Sequence, residues 1–306
     1  MRQYLDVLDN ILKNGREKSD RTGTGTISLS GPQIKADLSD GFPLITTKET
    51  NFHAIRTELL WFLEKRDISK NPELLRRLDV SRYKEIGYGP DKSKWPEKTI
   101  WDGNASAEYW MPRARFCGDA GVAYGTQWRY WQKPVKDEKT GLYKIGYIDQ
   151  VEDVLNTLEK DPASRRMKIN GSNPAETDDM CLESCIVYIL FSCNDDILDC
   201  TVQARSTDMF LGAPFDLASF AMLTHLIARV SKKKPGCLTF NMNDAHIYKN
   251  HIEQTKVLLS RDPYKLPKLE ISPELSREHF DGLIPPDFIR LKDYLHHQKL
   301  RAQMSI

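Results

Sequence analysis

The chain has 306 residues, and its 44 basic and 43 acidic residues give a formal net charge of +1. This balance gives no reason to expect a nucleic acid or an anionic membrane as a partner, so any anionic ligand must be bound by local charge. Hydrophobic residues make up 40% and charged residues 28% of the chain, which is typical of a globular protein with a sizeable core. Six scattered cysteines, a start without signal-like character and the lack of a long apolar run predict a soluble cytoplasmic protein with reduced thiols.

The first half of the chain alternates helical and β-type patterns. Apolar spacing predicts a helix over residues 2–13, then a β pair with a Gly-Pro turn at 31–32, then a helix over 53–65 with Glu58 beside its apolar face. Polar residues and prolines dominate the stretch that follows. We expect 67–100, a short helix with loops, and 132–146 to be surface insertions.

The second half begins with an amphipathic pattern that predicts a helix over 147–161. Three β-rich runs follow, then an apolar helix over 215–231, a strand and a last helix. The β-rich runs are "RRMKING", "CIVYILFSC" and "ILDCTVQARS", the strand lies near "CLTFNMND", and the last helix lies within "HIYKNHIEQTKVLLS". Without repeats or a flexible linker, this order predicts a single α+β domain over 1–306 with a large mixed β-sheet flanked by helices.

Arginines stand beside small polar residues at several places along the chain. They are Arg21 in "SDRTGTGT", Arg165 and Arg166 in "DPASRR", and Arg205 before Ser206 in "QARSTD". Guanidinium groups bind phosphate through two hydrogen bonds, and a serine hydroxyl adds a donor, so converging sites of this kind suit a phosphate monoester. Surface ion pairs are the alternative reading for any single arginine.

Cys185 lies in an apolar, strand-like run, where a cysteine is by default a small inert hydrophobe. It becomes reactive if cationic neighbours stabilise its thiolate, which Arg205 could do from an adjacent strand. A zinc site is disfavoured because the spacings of Cys181, Cys185, Cys193 and Cys200 lack a paired CxxC, so we predict no metal.

Two further residues, His246 and Tyr248, stand two positions apart in "DAHIYKNH". They would share one face if the strand before them extends that far. His251, five residues after His246, does not complete the spacing of a zinc-binding histidine pair on a helix.

With these residues assembled, the chain resembles the thymidylate synthase superfamily over nearly its whole length. The resemblance is carried by motifs in that family's order and at roughly its spacing: "SDRTGTGT", "FPLITTK", "TELLWFL", "IWD", "YGTQWRYW", "DPASRR", "QARSTDMFLGAPF" and "DAHIYKNHIEQ". It implies that family's α+β fold, with sheets packed face to face in a homodimer.

The resemblance also implies roles for matching residues. Cys185 matches the nucleophile, Arg205, Ser206 and Arg21 match phosphate ligands, and Arg165 and Arg166 match a pair given to the partner's site, so that the homodimer is obligatory. His246 and Tyr248 match contacts to the ribose 3′-hydroxyl, and Glu58 and Tyr124 match proton-handling residues. The folate cofactor, 5,10-methylenetetrahydrofolate, would contact Ile100, Trp101, Asp208, Leu211, Gly212, Phe215 and Ile306, with Lys48 near its glutamate tail.

Asp216 departs from the thymidylate-forming members, which have Asn where this chain reads "PFD". An ionised carboxylate only accepts hydrogen bonds, so it suits the amino group of cytosine and leaves uracil O4 without a donor. Asp at this position resembles the deoxycytidylate-modifying branch of the family. Capping of the helix is the alternative role for this side chain.

A second departure flanks the nucleophile. Synthases usually read Pro-Cys-His, and this chain has Ser184 and Ile186 on either side of Cys185. We expect the water network near the base to be rebuilt, while the nucleophilic chemistry survives.

The predicted reaction is folate-dependent one-carbon transfer to carbon 5 of dCMP. Cys185, with its pKa lowered by Arg205, would add to carbon 6, Asp216 would stabilise charge at N3 and N4, and Glu58 would move protons. We expect 5-hydroxymethyl-dCMP as product, because Asn104 stands where synthases often carry a second Trp and a polar residue there could hold water.

Several alternatives stay open at this point. Hydride transfer would give 5-methyl-dCMP and dihydrofolate, the substrate could be CMP, and a thymidylate synthase could tolerate Asp216. A catalytically idle protein that binds a nucleotide or RNA as a regulator is the alternative from a different class.

Overall fold

The computed structural model describes residues 1–20 and 22–305, so the predicted roles of Arg21 and Ile306 lie outside the described residues. It has the predicted α+β fold, with mixed sheets and flanking helices. The helices are α1 (Arg2–Asn14), α2 (Phe52–Leu63), α3 (Pro72–Leu75), α4 (Val80–Tyr88), α5 (Asp102–Ala105), α6 (Gly125–Arg129), α7 (Gln150–Lys160), α8 (Gly212–Val230) and α9 (Ile252–Leu259).

The strands of the described chain form two larger sheets and several two-stranded ladders. They are β1 (Arg16–Lys18), β2 (Thr26–Ser30), β3 (Gln33–Asp37), β4 (Leu78–Asp79), β5 (Asp119–Gly121), β6 (Trp131–Lys136), β7 (Tyr143–Ile148), β8 (Lys168–Asn170), β9 (Ile186–Asn194), β10 (Ile197–Ala204), β11 (Thr207–Asp208), β12 (Lys234–Met242), β13 (Asp244–Tyr248), β14 (Lys268–Ile271) and β15 (Ile289–Lys292).

The central sheet has the order β3-β12-β10-β9-β8, with β10 and β12 parallel and the other neighbours antiparallel. From residue 188 onward β9 alternates between exposed and buried side chains, as a sheet with one covered face requires. The covered face packs against α8, a helix that is apolar nearly all round and is therefore buried on most sides. Tyr188 and Leu190 project from the opposite face and are 45% and 43% exposed.

The predicted β pair around Gly31 and Pro32 is wrong. β3 belongs to the central sheet, whereas β2 belongs to a second sheet of order β1-β2-β13-β11. The Gly31 N–H donates to Asn243 O at 3.3 Å, and Pro32 O accepts from Met242 N–H at 3.1 Å. The backbone at this Gly-Pro step therefore finds its partners on the distant β12–β13 segment, and β2 and β3 form one bent, continuous stretch.

The stretch 67–100 is more deeply packed than predicted. It contains α3, β4 and α4, and Leu78, Val80 and Tyr83 are buried in the main core. Two of its arginines, Arg76 and Arg77, are also buried, because each pairs with a carboxylate from a distant part of the chain. Only its remaining residues form the surface segment that polar composition indicates.

One predicted helix start is too early. Residues 147–148 end strand β7, and α7 begins at Gln150 after Asp149 caps it by accepting from Glu152 N–H at 3.0 Å. β13 extends through Tyr248, and α9 begins at Ile252, inside the stretch in which the last helix was predicted. In the described ranges 1–20 and 22–305, no helix combines the length and apolar character needed to cross a membrane.

Candidate active site

Polar groups converge where β9 begins and β10 ends, and we call the site that they form the cup: Cys185, Arg205, Asp216 and Glu58. These strands are antiparallel neighbours, so Cys185, just before β9, and Arg205, just after β10, come to the same end of the sheet. The Arg205 N–H donates to Cys185 O at 2.8 Å. Helix α8 brings Asp216 to this end, and α2, which packs against α8, brings Glu58.

Cys185 is partly exposed, and its N–H donates to the phenol oxygen of Tyr124 at 3.2 Å. Burial raises the pKa of its thiol above the ordinary value, while the positive charge of Arg205 and a hydrogen bond from Tyr124 act in the opposite direction. Arg205 therefore favours the thiolate as predicted, but the loss of hydration is the larger effect and the net shift is upward.

Tyr124 has a backbone φ of 40°, which is rare for a residue with a side chain. Its ring stacks on Phe62 at 4.9 Å between centroids and nearly parallel. The next residue, Gly125, allows close approach to α2, since a Cβ there would lie 2.4 Å from Phe62 O. This local geometry aims the Tyr124 hydroxyl at the nucleophile position.

Ser184 and Ile186 flank Cys185 and are both buried. The Ser184 hydroxyl donates to Ile186 O at 2.8 Å, and Ser184 O accepts from Arg205 Nε at 3.0 Å. Ser184 thus fixes the backbone around Cys185 from two sides. The Ile186 side chain belongs to the apolar core, so the position carries no polar group toward the site.

Glu58 accepts a hydrogen bond from Trp101 Nε1 at 2.7 Å. Burial raises the pKa of its carboxyl to about 7, and the Trp101 bond offsets only part of that shift. A carboxyl with a pKa near neutrality can both give and take a proton at physiological pH, which suits a proton-transfer group.

Asp216 has a more strongly raised pKa, about 8, mainly because it is buried and secondarily because of the charges of Glu58 and Asp208. These three carboxyl groups are therefore close enough for their charges to interact. A pKa of about 8 favours the neutral carboxyl at pH 7, in contrast to the predicted ionised, acceptor-only Asp216. The neutral carboxyl has one O–H donor and one carbonyl acceptor.

Asp208 organises the turn that leads into α8, since its Oδ1 accepts from the N–H groups of Phe210 and Leu211 at 2.9 and 3.1 Å. Lys48 also contacts this turn. Its Nζ donates to Phe210 O at 2.6 Å and lies 3.9 Å from the centre of the Phe210 ring. Lys48 is 5% exposed, and burial lowers its pKa to about 8, so its ammonium faces the protein interior rather than a tail on the surface.

The predicted phosphate ligands are distributed over different regions. Arg205 donates from Nη2 to Glu183 O at 2.9 Å and lies 3.5 Å from the Glu183 carboxylate, while Ser206 is half-buried beside it. Arg165 and Arg166 are exposed and precede β8, and Met167 O, directly before that strand, accepts from Phe191 N–H at 3.0 Å. Phe191 follows Cys185 by six residues, roughly 20 Å along a strand, so this pair does not reach the Cys185 of its own chain.

His246 and Tyr248 do lie on one strand, β13, as expected if the strand extends that far. Their rings meet edge to face with centroids 5.1 Å apart. His246 Nδ1 is 3.0 Å from Asp244 Oδ1, and His246 pairs in register with Asp208 of β11. The pair therefore lies beside the Asp208 turn.

Of the residues predicted to contact folate, Asp208, Leu211, Gly212 and Phe215 lie in or beside this turn, and Trp101 contacts Glu58 and Tyr124. Trp101 is buried, whereas the others are half-buried and have surface for contact: Ile100, Asp208, Leu211, Gly212 and Phe215. A Cβ built on Gly212 meets only Asp208 Cβ, at 3.6 Å, so the start of α8 leaves open space. Apolar surface beside such a space fits a flat aromatic group of the pterin type.

Some contacts at the site were missed from the sequence. The Glu58–Trp101 bond joins residues 43 positions apart, and the buried His251 contacts both Phe210 and Tyr248. Only the Asn-His pair of the "KNHIEQ" motif hints at a polar residue at the start of α9. Burial of His251 follows from long-range packing that no local pattern encodes.

A protein-family model described as thymidylate synthase matches residues 2–306. The match covers nearly the whole chain, including every element that builds the cup around Cys185. This family transfers a one-carbon unit, uses methylenetetrahydrofolate, acts on pyrimidine nucleotide monophosphates and is typically dimeric. The chain therefore belongs to the thymidylate synthase family.

Proposed function

We propose that the protein transfers a one-carbon unit from 5,10-methylenetetrahydrofolate to carbon 5 of dCMP and releases 5-hydroxymethyl-dCMP. The observation that carries this proposal is the half-buried carboxyl of Asp216, which shares one space with Cys185 and Glu58 and whose pKa is raised to about 8 by desolvation. Family membership supports the one-carbon transfer, and Asp216 supports the choice of base.

A neutral Asp216 complements the cytosine edge at two points. Its carbonyl oxygen accepts from the N4 amino group, and its O–H donates to N3. It could also face uracil, accepting from N3–H and donating to O4, so ground-state binding alone separates the two bases weakly. The difference arises in the reaction, because N3 of cytosine is much more basic than O4 of uracil and takes the carboxyl proton more readily.

The chain's own groups then act in a defined order. The Cys185 thiol loses its proton to solvent and its sulfur adds to carbon 6, while the Asp216 proton moves to N3 and prevents negative charge from building up on the ring. Asp216 remains bonded to N3–H as a carboxylate. After carbon 5 has bonded to the one-carbon unit, Glu58, held by Trp101, removes the proton from carbon 5, in agreement with its pKa of about 7.

The bound folate would supply the one-carbon unit at the oxidation level of formaldehyde. Ile100, Leu211, Gly212 and Phe215 are the half-buried residues that would hold it. Addition of water to the resulting exocyclic methylene, with expulsion of the Cys185 sulfur from carbon 6 and return of the N3 proton to Asp216, yields the hydroxymethyl product, whereas addition of hydride in place of water yields 5-methyl-dCMP. We favour water because Asn104, a buried polar residue of α5, stands one turn after Trp101.

We also infer an obligate homodimer in which Arg165 and Arg166 reach the partner's site. Their distance from Cys185 along the central sheet supports this, because as phosphate ligands they must act on another copy. The uncovered face of that sheet, with exposed Tyr188 and Leu190, is the surface on which a second copy would pack.

The test incubates the purified protein with 5,10-methylenetetrahydrofolate and, separately, dCMP, dUMP or CMP, and identifies the nucleotide and folate products by mass. We expect a hydroxymethyl nucleotide and tetrahydrofolate from dCMP. Formation of 5-methyl-dCMP with dihydrofolate would replace the water step by hydride transfer. Turnover of dUMP to dTMP as the fastest reaction would refute the proposed substrate, and no turnover would favour a regulator.

A Cys185→Ser variant separates the last outcome from a simple loss of folding. It should bind dCMP with a Kd within a few fold of that of the unmodified protein. It should not turn dCMP over, because a serine hydroxyl ionises far less readily than a thiol and is a poor nucleophile. Unchanged turnover would remove Cys185 from the mechanism.

A further inference from the structure

We propose that Glu183 is a positioning residue whose carboxylate competes with phosphate for Arg205. Glu183 Oε2 lies 3.5 Å from Arg205 Nη2, which is within the distance of an ion pair. This competition rests on the proposed function, in which Arg205 binds the phosphate of the nucleotide. A carboxylate beside that guanidinium is a group that the entering phosphate has to displace.

Backbone carbonyl groups hold one edge of the Arg205 guanidinium. Nε donates to Ser184 O at 3.0 Å, and Nη2 donates to Glu183 O at 2.9 Å. These two bonds fix the plane of the guanidinium and leave Nη2 with a second N–H. The Glu183 carboxylate lies at the same nitrogen, too far for a strong hydrogen bond but close enough for attraction between the charges. It therefore holds loosely a donor that an entering phosphate would use.

The Glu183 carboxylate can leave Arg205 while the segment that carries it stays in place. Two residues before it, Cys181 O accepts from the Tyr109 hydroxyl at 2.7 Å, and two residues after it, Cys185 O accepts from the Arg205 N–H at 2.8 Å. The Glu183 and Arg205 side chains are 39% and 37% exposed, so water can solvate the carboxylate. Release therefore needs only a rotation of the Glu183 side chain.

A carboxylate tethered in this way lowers the affinity of Arg205 for every anion by the same factor. Each anion binds only the fraction of molecules in which the arginine is free. Inorganic phosphate has no base or sugar to add binding energy, whereas a nucleotide has both. Glu183 thus leaves the site largely free of inorganic phosphate at concentrations at which a nucleotide still fills it.

Glu183 also affects the nucleophile. Burial is the main cause of the raised pKa of the Cys185 thiol, the charge of Arg205 and a hydrogen bond from Tyr124 lower it, and the charges of Asp216 and Glu183 raise it. A neutral residue in place of Glu183 should therefore lower the thiol pKa. This shift is a readout that a merely structural role of Glu183 would not produce.

Glu183→Gln removes the charge and keeps the size of the side chain. Glu85→Gln is the matched control, because Glu85 Oε2 lies 2.7 Å from Arg82 Nη1 and the Glu85 side chain is 42% exposed, on helix α4. Calorimetry gives the Kd of dCMP, and competition with dCMP gives the Kd of inorganic phosphate and of deoxycytidine.

In Glu183→Gln we expect the Kd of dCMP and of inorganic phosphate to fall about threefold to fivefold, a modest gain because exposed ion pairs are weak. The Kd of deoxycytidine, which has no phosphate, should not change. Glu183→Ala, which has no amide to bond to phosphate, should show the same gain, and Glu85→Gln should show none. Unchanged binding of dCMP and phosphate in Glu183→Gln would overturn the proposal, as would weaker binding of deoxycytidine, which would make Glu183 a sugar contact.

A double variant separates competition for Arg205 from simple repulsion between Glu183 and the phosphate. In an Arg205→Gln background, Glu183→Gln should leave the Kd of dCMP unchanged, since the carboxylate no longer has an arginine to hold. An equal gain in both backgrounds would mean direct repulsion and would overturn the proposal.

The last measurement is alkylation of Cys185 by iodoacetamide against pH in the ligand-free protein, followed by mass spectrometry of the Cys185 peptide. Its midpoint should move to lower pH in Glu183→Gln and stay in place in Glu85→Gln. An unmoved midpoint in Glu183→Gln would contradict the proposed position of the carboxylate. The phosphate and alkylation results do not depend on the base, so they stand even if dUMP proves to be the substrate.

Discussion

At the scale of single residues, Glu58 and Asp216 are two carboxyl groups whose burial gives them different proton affinities. Their pKa values are about 7 and about 8, and the charge of Glu58 adds to the cost of ionising Asp216. The proposed mechanism needs Glu58 ionised to accept a proton and Asp216 protonated to give one. That combination is the most populated singly protonated state of the pair, because Asp216 is the weaker acid.

This arrangement predicts a bell-shaped dependence of kcat/KM for dCMP on pH. The rate should rise as Glu58 ionises near pH 7 and fall as Asp216 loses its proton near pH 8, giving a narrow maximum between them. Steady-state kinetics from pH 5.5 to 9.5 would record both limbs. In Asp216→Asn the alkaline limb should disappear, and its persistence at the same pH would assign that limb to another group such as Cys185.

Asp216→Asn should change reaction rates more than binding. An amide can bond to either base edge but has no proton to transfer to N3, so kcat/KM for dCMP should fall about a hundredfold or more. The Kd of dCMP should change much less, and kcat/KM for dUMP should rise. Parallel kinetics and calorimetry with both nucleotides check this. An equal loss with dCMP and dUMP would indicate that the side chain only maintains the start of α8.

At the scale of elements, buried ion pairs attach the segment after α3 to the body of the domain. Arg76 Nη2 donates to Glu176 Oε2 at 3.0 Å, and Gln127 of α6 and Asn173 donate to the same carboxylate at 2.9 and 3.0 Å. Both charged side chains are almost completely buried, at 4% and 9% exposed. The network joins three stretches of chain around one carboxylate.

Removing one charge from this network should be costly. Glu176→Gln leaves Arg76 buried without its counter-ion, and we expect the free energy of unfolding to fall by about 3–5 kcal/mol in urea denaturation. Asp178→Asn is the matched control, because Asp178 is 91% exposed and pairs with the exposed Arg113 at 3.3 Å. That change should cost at most about 1 kcal/mol. Equal effects of the two substitutions would refute a structural role for the buried pair.

Periodicity predicted the elements that are held by their own apolar face, and it failed where distant contacts decide. Helices α1 and α8 lie close to their predicted bounds because their apolar residues recur at helical spacing. The strands around Gly31 were predicted to pair with each other, but they belong to different sheets. A Gly-Pro step marks a bend in the chain without showing whether the two flanking strands pair. Arg76 was expected on the surface because its partner, Glu176, follows a hundred residues later.

In the candidate site, too, local motifs predicted which residues take part, but features that depend on distant contacts could not be predicted. Motifs identified Cys185, Arg205, Glu58 and Asp216 as residue types, and the sheet brings Cys185 and Arg205 together as predicted. Their protonation could not be predicted, because the pKa values depend on burial by residues far away in the chain. Cys185 and Asp216 accordingly have higher pKa values than the chemistry of their nearest neighbours in sequence would indicate.

At the scale of the whole molecule, the half-buried carboxyl groups of Glu58 and Asp216 oppose folding as the pH rises. The folded-state pKa values of Asp216 and Glu58 lie above their ordinary values of 3.8 and 4.5. Their contribution to stability is therefore complete below about pH 4 and is lost as the pH rises to about 8. At one pKa unit per 1.36 kcal/mol, the two shifts together correspond to a loss of several kcal/mol.

The double variant Glu58→Gln, Asp216→Asn should remove this loss. We expect it to match the unmodified protein in free energy of unfolding near pH 4.5 and to exceed it by several kcal/mol at pH 8.5, measured without ligand. A constant difference between the two proteins across that range would mean that the carboxyl groups ionise without penalty.

The proposed dimer makes each active site depend on two chains. Arg165 and Arg166 are separated from the Cys185 of their own chain by much of strand β9. In the proposed dimer, one variant therefore lacks the arginines that complete the partner's site, and the other lacks the nucleophile of its own site. Arg165→Ala/Arg166→Ala and Cys185→Ser should each be nearly inactive alone. After unfolding and refolding as an equal mixture, half of the dimers contain one chain of each kind, and one of their two sites has neither change.

The mixture should therefore recover about a quarter of the unmodified activity. Leu190→Asp in both chains provides the control, because a carboxylate on the exposed sheet face should block pairing and prevent recovery while leaving each chain folded. Activity assays, together with sedimentation to follow the oligomeric state, measure both outcomes. Full activity of Arg165→Ala/Arg166→Ala alone, or no recovery in mixtures that sediment as dimers, would exclude a site completed by the partner's arginines.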